Sequence, residues 1–217
     1  MKTTFLQWHL GLGDAIVCNG LVRELIKDTN IIVPCYSWNK VSLETMFSDV
    51  SEQVSVVKYS DPNQSDFFES ELGSKSIKLG DYSSDTFDRT KWDKELYRHA
   101  GVDFECRWSS FKIGAKKDYF LMPPEYGEKY CLVISNGLID EAKVETELKK
   151  IYLKQISDNI FDWINIIEKA TEIHSIDCGA LNLVNSLDLS CKKVLHQYAR
   201  KEYINRPSLK GKWVVLQ

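Results

Sequence analysis

Two short stretches of this 217-residue chain set a glycine within two residues of a carboxylate where a strand gives way to a helix, and they carry most of the groups able to do chemistry. The first, residues 9–14, reads HLGLGD. An ionised Asp14 can take a proton from a hydroxyl held within hydrogen-bond reach. It can equally serve as a helix N-cap, a role worth about 1 kcal/mol. A glycine turn entering a helix leaves backbone N–H groups unpaired, and the helix dipole adds positive potential, so anionic or hydroxyl-rich ligands are favoured there. The second stretch, residues 175–182, reads SIDCGALN and sets Asp177, Cys178 and Gly179 between an apolar strand and an apolar helix.

Other candidates each have a plainer reading. His9 can orient a substrate, although one histidine at a strand end is more often structural. His174 lies inside an apolar strand and is assigned to packing. Arg107 and Trp108 offer a fork of donors beside a stacking face, which suits a sugar, or they pin a lobe boundary. Lys192, Lys193 and Arg200 can neutralise a diphosphate, although a solvated basic face is the commoner meaning of such a cluster.

The elements that must position these groups follow from periodicity. Residues 3–8 are β-prone, and from Asp14 the apolar residues Ile16, Val17, Leu21, Leu25 and Ile26 recur at helical spacing, giving a βα unit. Strands are expected at 30–36, 54–59 and 77–82, with helices at 38–47 and 85–100, the last stopped by Gly101. Alternating strands and helices imply parallel sheets. Pro123, Pro124 and Gly127 interrupt every pattern, so the chain divides into lobes at 1–120 and 121–217. The second lobe restarts with a strand over 129–137 ending in Asn136 and Gly137. Strands at 151–156 and 172–177, a helix over 159–170, a helix from Gly179 and a last strand at 213–216 follow. The fold class is therefore α/β, as two small Rossmann-like lobes facing a cleft. Ligands of such sheets bind at the carboxyl ends of the strands, where both chemical stretches fall.

Composition narrows the function. A net charge of −3 with 27% charged residues lacks the basic excess of a nucleic-acid binder. Six scattered cysteines without a CxxC pair suggest neither a zinc site nor a redox motif, and fit free thiols in a reducing cytoplasm. No apolar run reaches the roughly 18 residues of a membrane span, and no signal-peptide pattern opens the chain. A nicotinamide site is disfavoured, since Ile16 stands where GxGxxG needs its third glycine. The second strand also ends in Pro34 and Cys35 instead of a ribose-binding acid.

The stretch HLGLGDAIVCNGLVREL resembles the opening of the GT-B glycosyltransferases of the heptosyltransferase type, family 9, in which a G-x-G-D turn enters the first helix. DNIFDWINIIEKATEIHSIDCGALNLVNSL is similar to their donor-lobe run, which leads to D-[ST]-G-x-x-H. Asp177 and Gly179 match, Cys178 replaces the hydroxyl residue and Asn182 stands at the histidine. The resemblance implies a reduced version of the kind found in phage and bacterial sugar-modification clusters. It makes Asp14 the general base, with His9, Gly11, Gly13, Asn19 and Arg107 on the acceptor side. Ser135, Asn136, Ser175, Asp177, Cys178, Gly179 and Asn182 would surround a nucleotide-diphosphate sugar, the donor substrate, with no cofactor. No D-x-D occurs, so no metal is expected at the diphosphate, and helix dipoles and cations must meet its charge. Losing the hydroxyl at Cys178 and the cation at Asn182 favours one alternative, a non-catalytic sugar or nucleotide binding module of the same fold.

Overall fold

A computed structural model describes residues 2–8, 10–59, 75–80, 86–114, 129–135, 138–140, 143–154, 157–200 and 208–217, excepting the side chain of residue 200. The chain forms two compact units, Met1–Lys116 and Lys117–Gln217. Each is built on its own parallel sheet.

In the first unit the strands β1 (Thr3–Gln7), β2 (Asn30–Cys35), β3 (Val54–Lys58) and β4 (Lys75–Lys78) lie in the order β3-β2-β1-β4. The near-continuous apolar run of β2 and the buried Thr4, Phe5 and Leu6 of β1 reflect their central places, since inner strands of a parallel sheet are covered on both faces. Pro34 sits in β2 without breaking the sheet. Asn30 N–H donates towards β1, to Lys2 O at 2.9 Å, whereas Ile31 N–H donates the other way, to Gln53 O at 2.8 Å. Pro34 is in phase with Asn30, and the β1 register ends at Ile32, so its missing donor falls beyond that ladder. Trp8 Nε1–H uses the free carbonyl instead, donating to Pro34 O at 2.9 Å.

The helix expected from Asp14 starts earlier and is divided into α1 (Leu12–Val17) and α2 (Asn19–Leu25). Tyr97 supplies the physical reason. Its hydroxyl donates to Val17 O at 2.8 Å and accepts from Leu21 N–H at 3.2 Å, so it stands between two groups that would otherwise bond each other. A hydroxyl inserted into the i→i−4 ladder breaks a helix at that point. Further helices of the unit are α3 (Lys40–Met46), α4 (Trp92–Ala100) and α5 (Cys106–Ser109). Gly101 ends α4 in the left-handed conformation at φ 69°, as its sequence position predicts.

α2 crosses α5 at Gly20, where a Cβ would lie 1.9 Å from Cys106 O and 3.2 Å from Arg107 Cα. Both are backbone atoms and cannot rotate aside. Gly20→Ala is therefore expected to destabilise the first unit by at least about 1–3 kcal/mol, lowering its urea midpoint. An unchanged midpoint would mean that α5 yields without cost.

In the second unit β5 (Tyr130–Ile134), β6 (Lys149–Tyr152), β7 (Glu172–Ser175), β8 (Lys192–His196) and β9 (Val214–Leu216) run in the order β6-β5-β7-β8-β9. The region expected as one helix over 159–170 is a 3-10 turn, Ile160–Trp163, followed by α6 (Ile164–Glu168). Asn159 fixes the start, its side chain accepting from Phe161 N–H at 3.2 Å. α7 (Gly179–Ser186) follows β7 and is buried along nearly its whole length.

Candidate functional site

In the first sheet the chain leaves β1 for β2 and β3 on one side and later returns to β4 on the other. The carboxyl end of β1 is thus a topological switch point, the place where open α/β sheets bind ligands. The loop leaving β1 is anchored twice, by Trp8 on Pro34 and by Asn39 Nδ2, which donates to Leu10 O at 3.1 Å. Gly11 is the N-cap of α1 with extended backbone, φ −66° and ψ 139°, and no side chain caps the helix. The N-cap reading of Asp14 is thereby corrected, since Asp14 lies inside the first turn, half-buried. Gly13 is helical, and neither it nor Gly11 is among the left-handed glycines, which among the described residues are Gly80, Gly101 and Gly211. Burial first, and then the Asp14 charge, push the Cys18 thiol well above its usual range.

Two acceptor-side expectations are corrected. Asn19 is fully buried; its Nδ2 donates to Lys112 O at 2.9 Å, and its Oδ1 accepts from Lys112 N–H at 3.0 Å and Arg23 Nε–H at 3.3 Å. That spends the amide on strapping residue 112 to α2. Arg107 is 1% exposed, pairs with Asp93 and lies 4.2 Å from the Trp108 ring centroid, so it joins α4 to α5 from inside the unit. Burial pushes its guanidinium below the usual arginine range, opposed by the Asp93 charge. His9 lies outside the described residues. Sequence reasoning missed Tyr36 and Trp38, stacked at 4.5 Å just past β2, with Trp38 67% exposed. The signal was there to read: two aromatics follow directly on a strand's carboxyl end.

The second sheet has its switch point between β5 and β7, because the chain leaves β5 for β6 and crosses back to β7. Ile134 is in register with Ser175, and Ile176 N–H donates to Ile134 O at 3.1 Å, so Ser135 and Asp177 leave adjacent strand ends. Asn136 lies outside the described residues. Ser175 is fully buried and its hydroxyl donates to Ile176 O at 2.9 Å, which turns it away from any ligand and corrects its donor-side assignment. Cys178 is the extended N-cap of α7 at φ −157°, with Gly179 first in the helix and no side-chain cap bond. Asn182 is 4% exposed, and its Oδ1 has no hydrogen-bond partner among the described residues.

His174, expected only to pack, belongs to a buried polar chain. Its Nε2 lies 3.0 Å from Glu172 Oε1 and its Nδ1 2.7 Å from His196 Nε2, while His196 Nδ1 lies 2.8 Å from the Tyr198 hydroxyl. Burial, and then His174, push His196 down to about 4. Lys192, expected on a solvated face, reaches Glu172 Oε1 at 2.5 Å, and Lys193 is buried with Nζ 3.3 Å from Lys210 O.

No protein-family model matches this chain, and no curated protein sequence does. Solved structures match over nearly all of it. The iron-containing dodecameric glycosyltransferase TibC of enterotoxigenic E. coli H10407 superposes with a TM-score of 0.56 at 8% identity, covering 97% of this chain and 63% of TibC. The chain shares the fold of TibC. A family 9 glycosyl transferase from Veillonella parvula DSM 2008 agrees, with a TM-score of 0.53 at 11% identity over 99% of this chain and 86% of that one. The expected GT-B resemblance is borne out at the level of the fold, in a chain that spans 63% of the length of TibC.

Proposed function

We propose that this protein is a glycosyltransferase that moves a sugar from a nucleotide-diphosphate donor to a hydroxyl acceptor, with the first unit receiving the acceptor and the second the donor. The observation that carries the reading is that the loops ending in Asp14 and in Asp177–Gly179 each leave a strand at a sheet switch point, in a fold shared with glycosyltransferases. The acceptor oxygen attacks the anomeric carbon and its proton passes to the Asp14 carboxylate. The bond from that carbon to the diphosphate breaks, and the leaving oxygen keeps the electron pair. Its charge is met by backbone N–H groups in the first turn of α7, which no side chain caps, without a metal or cofactor in the reaction. Gly11 and Gly13 leave room for the acceptor, and the stacked Tyr36 and Trp38 offer it an apolar face.

The six cysteines are free, which supports a reducing, cytoplasmic setting, and no helix among the described residues is long and apolar enough to cross a membrane. A second reading, a binding module that keeps the fold, is favoured by Cys178 and Asn182, which lack the hydroxyl and the cation of the related pattern. Both readings predict stabilisation by a nucleotide ligand. In a thermal-shift panel of nucleoside diphosphates and nucleotide sugars, a ligand at 100 times its Kd should add about 2.7 kcal/mol. No shift with any of them would overturn both.

A further inference from the structure

We propose that Cys131, Glu172 and His174 form a binding site for a zinc-class divalent cation within the second unit, with Lys192 and the cation as alternative partners of the Glu172 carboxylate. The register of β5 on β7 sets Cys131 beside Glu172, and Glu172 and His174 are two apart on one strand, so all three project from one face. Their ligand atoms lie within 4.8 Å of one another. Tetrahedral zinc, at about 2.0–2.3 Å from sulfur, nitrogen and oxygen, spaces its ligands by roughly 3.3–3.8 Å, so a closure of about 1 Å suffices. A thiolate, an imidazole and a carboxylate select a zinc-like ion over magnesium or calcium, which take oxygen ligands.

The surroundings distinguish this cluster from a chance grouping. A ligating histidine characteristically donates its other ring N–H to a fixed partner, and ligating carboxylates are themselves hydrogen-bonded. His174 Nδ1 already lies 2.7 Å from His196 Nε2, with Tyr198 behind His196, and the Thr146 hydroxyl donates to Glu172 Oε2 at 2.9 Å. With His174 Nε2 on the ion, Nδ1–H donates to His196 Nε2, and His196 Nδ1–H to the Tyr198 oxygen. A pocket of about 660 Å³, lined by His174, Lys192 and Glu145, adjoins the cluster and supplies the route in and water for a fourth position. Binding expels the Cys131 thiol proton and frees the Lys192 ammonium, half-exposed, to turn into solvent. Because the thiol must lose its proton to ligate, affinity rises with pH. The ligands sit on the strands, whereas the proposed donor loop follows β7 at Asp177, so the ion braces the unit and takes no part in transfer.

The test titrates the full chain with Co²⁺, a spectroscopic stand-in for zinc. The expected result is one equivalent bound, with a thiolate-to-metal charge-transfer band. That band should vanish in Cys131→Ser, a near-isosteric change whose melting curve reports folding. Glu172→Gln and His196→Phe should weaken binding by about 10–100-fold. Lys192→Met should tighten it by about tenfold or more, because a competing cation is gone. Failure to bind Co²⁺, a band that survives Cys131→Ser, or weaker binding in Lys192→Met would overturn the proposal.

Discussion

Asp14→Asn is expected to cut turnover by about 100-fold or more while lowering stability by no more than about 1 kcal/mol. The substitution keeps size and polarity and removes proton acceptance together with the negative charge. Gly11, not Asp14, is the N-cap, and no side chain caps α1, so the change deletes no capping bond. What it does remove is a negative charge in the first helical turn, worth about 0.3–1 kcal/mol at a half-exposed position. An interaction used in the transition state and not in substrate binding lowers kcat and kcat/KM together, with KM little changed. Steady-state kinetics on the two proteins at matched folding separate the outcomes. A variant that keeps most of its turnover would remove Asp14 from the chemistry.

The largest expected loss of stability comes from the pair buried between α4 and α5. Asp93 and Arg107 are each 1% exposed, and Arg107 stacks on Trp108. Truncating one member strands a buried charge, so Asp93→Ala should cost about 3–5 kcal/mol in urea unfolding. Replacing both by apolar residues of similar size, Asp93→Leu with Arg107→Met, should recover most of that loss, because neither charge then has to be desolvated. If the double variant proved as unstable as the single one, packing around the guanidinium would matter more than its charge.

The same two residues show where reading the sequence reaches its limit. Strands such as β1, β2 and β5 were legible because buried parallel strands are apolar runs bounded by turn formers, and Gly101 announced its own left-handed stop. The break at Cys18 was not legible, because a tyrosine hydroxyl from 80 residues further along makes it. Arg107 and Asn19 carry the residue types of a binding site, and only their partners, Asp93 and the Lys112 backbone, reveal them as internal clamps. His174 was unreadable for the opposite reason. Its strand is apolar enough to suggest packing, and the register of β7 on β8 decides that His196 stands beside it. The loops at Asp14 and Asp177 were legible because each joins a strand to a helix through glycine. That both strands border switch points depends on sheet order, which local pattern does not encode.

The central claim is tested most directly by incubating the wild-type chain with a panel of nucleotide sugars, without added divalent ions, and measuring released nucleoside diphosphate. The account predicts that at least one sugar is consumed, slowly with water as acceptor and faster with a hydroxylated acceptor, and that Asp14→Asn cuts the release by about 100-fold or more. Binding of a nucleotide sugar with no release of diphosphate under any acceptor would contradict it, and would leave a sugar-nucleotide binding module in place of an enzyme.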